Sequence, residues 1–120
     1  MRTYLLLTGL LAIAIYSCTN KEAAAPDTGP VVSNCDTLQI SAAFVYGVIQ
    51  SNCTGCHSGS TAPRGADFST QDKFESFVSN NETTFRLRAL SAQADMPPAG
   101  ALRQSLRDSI SCWLSKGMPE

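Results

Sequence analysis

Five cysteines in a chain of 120 residues constrain the fold more than any other feature. A domain this short buries only about two-thirds of its unfolded surface, so an apolar core alone leaves little margin of stability. Covalent staples, or a large apolar group held by the chain, would supply what is missing. The five positions are Cys18, Cys35, Cys53, Cys56 and Cys112. So many thiols suit an oxidising compartment better than a cytosol that keeps them reduced. An apolar content of 43% with ordinary charge density predicts one globular domain. The net charge is -1 and there is no basic stripe to neutralise phosphates, so nucleic acid is not expected as a partner.

The N-terminus agrees with export. Residues 1–16 carry one early charge, Arg2, followed by an apolar run from Leu5 to Ile15 that is too short to span a bilayer. The run ends at Ile15-Tyr16-Ser17-Cys18, which resembles a bacterial lipobox, with a small residue before the cut and then the cysteine that receives lipid; Tyr16 is bulkier than that pattern usually has. The resemblance implies that 1–17 is a lipoprotein signal peptide, that Cys18 carries the lipid, and that the protein is an extracytoplasmic bacterial membrane lipoprotein, periplasm-facing or on the outer membrane. The alternative is an ordinary signal peptide with an incidental cysteine. Residues 18–34 include three alanines, Pro26, Gly29 and Pro30 and have no hydrophobic period, so they read as a flexible tether. Random-coil scaling gives such a segment a reach of roughly 20–25 Å. The folded domain is then 35–120.

Within it, Ser41 caps a helix that places Val45, Val48 and Ile49 on one face and runs into Cys53. A second helix starts after Ser69, with Asp72 in its first turn and Phe74, Phe77 and Val78 on a face, and ends at Asn80-Asn81. A weaker helical stretch covers Glu82 to Leu90. Ser91 to Gly100 must be a loop, because Pro97 and Pro98 lack amide donors. From Arg103 to Lys116, Leu106, Ile110, Trp113 and Leu114 recur at helical spacing, and Gly117 then Pro119 stop the helix. No strand pattern and no repeat is visible, so the fold class is all-α, with about four helices.

Cys53-Thr54-Gly55-Cys56-His57 carries the chemistry. C-x-x-C-H is the attachment motif for c-type haem. Two thiols three positions apart can each form a thioether with one vinyl group, and the next residue then projects its imidazole under the iron. Gly55 is expected to keep the turn compact.

The pattern resembles monohaem class I cytochrome c over nearly all of residues 41–117: a helix before the motif, a Met-Pro segment about forty residues after it, and a terminal amphipathic helix with an aromatic residue. The resemblance implies a cytochrome c-like fold wrapped around one covalent haem, with the first and last helices crossing where Val45 and Ile49 face Trp113. Val45 stands where the family has a glycine, and Gly47 lies two residues later. His57 is the only histidine, so bis-histidine ligation within one chain is excluded. Elimination and resemblance both select Met96 as the second iron ligand, since Met1 leaves with the signal peptide and Met118 lies past the last helix stop. Iron held by His and Met has no open site for substrate, and the soft thioether raises the potential, which points to electron transfer between redox partner proteins rather than to an enzyme. Phe68, Phe74, Phe77, Phe85 and Leu87 are candidates for an apolar haem pocket or for plain core.

With lipid on Cys18 and haem on Cys53 and Cys56, Cys35 and Cys112 remain as a disulfide pair, or else as two free buried thiols. Arg64 and Arg88 are candidates for the haem propionates. Three other readings compete. One is a zinc-binding structural lipoprotein using Cys53, Cys56 and His57 with Cys35 or Cys112. Another is a thiol oxidoreductase working through Cys53 and Cys56, although such motifs usually follow a strand. The third is a haem sensor or peroxidase-like protein in which Met96 is labile.

Overall fold

The computed structural model of the chain describes residues 34–120. The expected signal peptide, the expected lipid site at Cys18 and the expected tether up to residue 33 lie outside the described residues. The described part is all-α. A short 3-10 turn (Cys35–Thr37) precedes helix α1 (Ala42–Asn52). Two more such turns (Gly59–Thr61 and Pro63–Gly65) lead to α2 (Gln71–Phe85), which continues as a π turn (Arg86–Leu90), and after a loop comes α3 (Gln104–Ser115). Among the described residues there is no strand, and no helix is long and apolar enough to cross a membrane.

Each helix end has a local cause. Ser41 Oγ accepts from the Phe44 amide and caps α1. At the other end of α1, Ser51, Asn52 and Thr54 donate their side chains back to the carbonyls of Gly47, Val48 and Gln50. Of these acceptors the Gln50 carbonyl is one of the last four that a helix terminus leaves free, and the Thr54 hydroxyl satisfies it where the chain turns at Cys53. Thr70 caps α2, accepting from the Lys73 amide. α3 closes on Gly117 at φ 79, where the Gly117 amide donates to the Leu114 carbonyl and the Met118 amide to the Trp113 carbonyl. This is the paired bonding that a left-handed glycine permits after a helix.

One boundary differs from the sequence expectation. Asn80-Asn81 does not end the second helix; α2 kinks at Asn81 (φ -137, ψ 26) and runs on to Phe85. Ser79, Asn80 and Asn81 donate to the carbonyls of Glu75, Ser76 and Phe77. Such back-bonding bends a helix without stopping it. The expected third and second helices are therefore one bent element, and the described residues hold three α-helices where about four were expected.

The core collects one stripe from each helix. Val45 and Ile49 of α1, Phe74 and Val78 of α2, and Ile110 and Trp113 of α3 are all fully buried. Each such side chain stabilises the fold by roughly 1.5–3 kcal/mol relative to exposure. α1 packs on both α2 and α3. Trp113 stacks on Phe74 with centroids 6.3 Å apart and donates its indole N–H to the Pro119 carbonyl at 2.9 Å. Outside this core, a disulfide joins Cys35 to buried Cys112, with Cα atoms 5.2 Å apart. It fastens the segment before α1 to α3. Lys116 reinforces the same junction by donating to the carbonyls of Asp36 and Leu38.

Candidate haem site

Cys53, Cys56 and His57 share one turn that begins where α1 ends. The Cys53 amide still closes α1 onto the Ile49 carbonyl at 2.8 Å, and the amides of Cys56 and His57 both donate to the Cys53 carbonyl, at 3.1 and 2.9 Å. The two cysteine thiols are free, Cys53 half-buried and Cys56 exposed. Burial pushes the Cys53 thiol up to about 11. Gly55 does not have the role expected of it. A side chain there would meet nothing within 4 Å, and its backbone angle is not one reserved for glycine. The turn is compact because of its two bonds to the Cys53 carbonyl.

His57 is oriented from two sides. Its Nδ1 lies 3.0 Å from the Ala66 carbonyl oxygen. A carbonyl only accepts, so Nδ1 carries the proton, and Nε2 of the neutral ring keeps its lone pair for a metal. The ring stacks on Phe68 with centroids 4.9 Å apart and an interplanar angle of 19°. The Phe68 amide donates to the His57 carbonyl at 2.8 Å, and Tyr46 of α1 donates its hydroxyl to the Phe68 carbonyl at 3.2 Å. The loop that supplies Ala66 is in turn held by Asp67. Its carboxylate accepts from Lys73 Nζ and from the amides of Gly59 and Ser69. The Lys73 ammonium, aided by those amides, holds the Asp67 carboxyl well below the usual carboxylate range. Neither Ala66 nor Asp67 was legible as part of the site. A backbone acceptor leaves no trace in residue type, and an Asp between Ala66 and Phe68 matches no ligand spacing.

Of the five apolar pocket candidates, Phe68, Phe74 and Phe85 belong to the core itself. Phe68 packs edge-on to Phe74 and to Phe77, with centroids 5.4 and 5.2 Å apart, and Phe74 packs edge-on to Phe85 at 5.6 Å. Phe77 is only half-buried and borders this cluster. Leu87 does not join it. At 64% exposed it lies on the outer side of the π turn, which sends Ala89 and Leu90 inward instead.

Met96 is half-buried in the loop between the π turn and α3, and its amide donates to the Arg88 carbonyl at 2.9 Å. Met118 packs against the core beside the end of α3. Arg88, expected as a propionate partner, meets a carboxylate of the chain itself. Its Nε and Nη2 fork onto the Asp95 carboxylate at 3.1 and 2.8 Å. Arg64 is exposed and sits at φ 57.

The donor set suits covalent haem and does not suit zinc. Cys35 and Cys112 are consumed by their own bond, so neither can complete a site with Cys53, Cys56 and His57. Among the described residues no three His, Cys, Asp or Glu side chains converge as metal ligands. Comparison with protein-family models, with curated proteins and with solved structures finds no match for the chain.

Proposed function

We propose that the chain is a lipid-tethered monohaem cytochrome c of the class I type, passing single electrons between redox partner proteins outside the cytoplasm. One observation carries the reading. Two free thiols and a histidine whose Nδ1 is turned to a backbone carbonyl occupy a single turn, while the other two cysteines of the domain are bonded to each other. In this reading Cys53 and Cys56 would hold the haem through thioethers, and His57 Nε2 and Met96 would ligate its iron. The haem supplies a metal that cycles between ferric and ferrous states without bond rearrangement. The protein supplies orientation. Ala66 makes His57 a better donor by accepting its Nδ1 proton in a hydrogen bond, and Phe68 fixes the ring plane. Cys18 anchors the whole, its lipid held at the membrane while the tether lets the domain reach partners.

The rival thiol oxidoreductase needs a reactive thiolate, hence a lowered cysteine pKa. Cys53 is shifted the opposite way. The haem sensor or peroxidase reading differs only in whether Met96 lets go. The test uses the full chain, expressed with a cytochrome c maturation system and purified from membranes in detergent. It should take up and release one electron per chain reversibly, followed by its absorption spectrum. The Cys18→Ser variant should do the same from the soluble fraction. No reversible electron uptake would sink the function, and a Cys18→Ser variant that still sediments with membranes would sink the anchor.

A further inference from the structure

We infer that the fork between Arg88 and Asp95 holds Met96 in place as the axial ligand, so that both are positioning residues for iron coordination; the inference rests on the haem reading above. The loop from 91 to 103 has no regular ladder to stiffen it, yet Met96 sits between two constraints. On one side Arg88 grips consecutive residues with different atoms. Its carbonyl accepts from the Met96 amide at 2.9 Å, and its guanidinium takes the Asp95 carboxylate with two parallel bonds of 3.1 and 2.8 Å. On the other side Pro97 and Pro98 restrict the backbone, and the Gly100 amide closes a turn onto the Pro97 carbonyl.

Arg88 is itself well anchored. It belongs to the π turn, where the Ser91 amide reaches back to the Arg86 carbonyl at 2.9 Å, and Ala89 and Leu90 beside it are buried. Arg107 of α3 pins the base of the loop by donating to the Ser91 carbonyl at 2.7 Å. The base of the loop is thus fixed to the core, and the fork fixes the part that carries the thioether. A thioether is a neutral, weak ligand. How long it stays on iron therefore depends on how strongly the loop favours the liganding position. Both partners of the fork are solvent-accessible, with side chains 38% and 59% exposed, so its contribution is modest.

The test compares the holoprotein with Arg88→Gln, Asp95→Asn and the double variant, each of which leaves the backbone bond to Met96 in place. The rate at which the ferrous haem takes up carbon monoxide, limited by Met96 release, should rise about two- to five-fold in each single variant. The double variant should be no worse than either single one, because the two residues act as one device. The sulfur-to-ferric-iron charge-transfer band should weaken in step. Unchanged carbon monoxide rate and band in both single variants overturns the inference, even if the melting temperature falls. So does a change in one single variant but not the other. Met96→Ala separates the two levels. If that variant alters the band while the fork variants do not, the haem reading stands and the fork is merely structural. If Met96→Ala leaves the band intact, Met96 is not the ligand and the reading beneath the fork fails as well.

Discussion

Met96→Ala keeps its haem and loses its character as an electron carrier: that is the expected result, because the thioethers at Cys53 and Cys56 and the ligand His57 are untouched by the change. In the proposed cytochrome the parent would have a soft sulfur on iron, which favours the ferrous state. Replacing it by water or by nothing removes that preference. The reduction potential should fall by an amount on the order of 100 mV, about 2.3 kcal/mol for one electron. The charge-transfer band should disappear, and the vacated position should bind carbon monoxide in the ferrous state, which the parent resists. Met118→Ala should do none of this, since Met118 packs against the core near Trp113 and its amide closes the end of α3. A parent that binds carbon monoxide readily would favour the sensor or peroxidase reading. An unaltered spectrum in Met96→Ala with an altered one in Met118→Ala would assign the ligand to the wrong loop.

The second large effect is on stability. Removing the bridge with Cys35→Ala and Cys112→Ala together frees a loop of 77 residues' separation in the unfolded chain. Loop-entropy scaling puts the loss at about 4.5 kcal/mol as an upper figure. For a domain of this size that corresponds to a drop in melting temperature on the order of 20 °C. Haem attachment should survive in those molecules that fold, because the bridge lies at the α3 end and not in the Cys53–His57 turn. Peptide mapping without reduction should recover Cys35 linked to Cys112 in the parent. Recovery of both as alkylated thiols, or a double variant melting with the parent, would remove the bridge from the account.

The parts of this fold that were legible in the sequence are those written in side-chain period and terminal signals. The stripes Val45/Ile49, Phe74/Val78 and Ile110/Trp113/Leu114 are the buried faces, and Ser41 and Gly117 bound their helices as their chemistry dictates. Counting cysteines also reached the pair that the fold brings together, Cys35 and Cys112. What was not legible depends on backbone geometry or on competition between side-chain partners. Asn80-Asn81 looks like a stop, yet their amides bond back to Ser76 and Phe77 and bend the helix. Periodicity assumes one turn per 3.6 residues, so the π turn shifts Leu87 outward where an α-helical reading places it inward. Arg88 has the right chemistry for a propionate, but that its guanidinium meets the Asp95 carboxylate was not visible from residue type. The acceptor of His57 is the backbone of Ala66, a residue that no motif would single out.

The central claim is the covalent haem, and it is tested most directly on the protein matured in a host with a cytochrome c assembly system. The purified chain is treated with acidified acetone, and the pyridine haemochrome spectrum of the protein fraction is recorded. One haem per chain that stays with the protein, with the band position of a haem whose two vinyl groups have been consumed, is the predicted result. Haem that extracts into the acetone, or a chain that carries none while both Cys53 and Cys56 still react as free thiols, would contradict it.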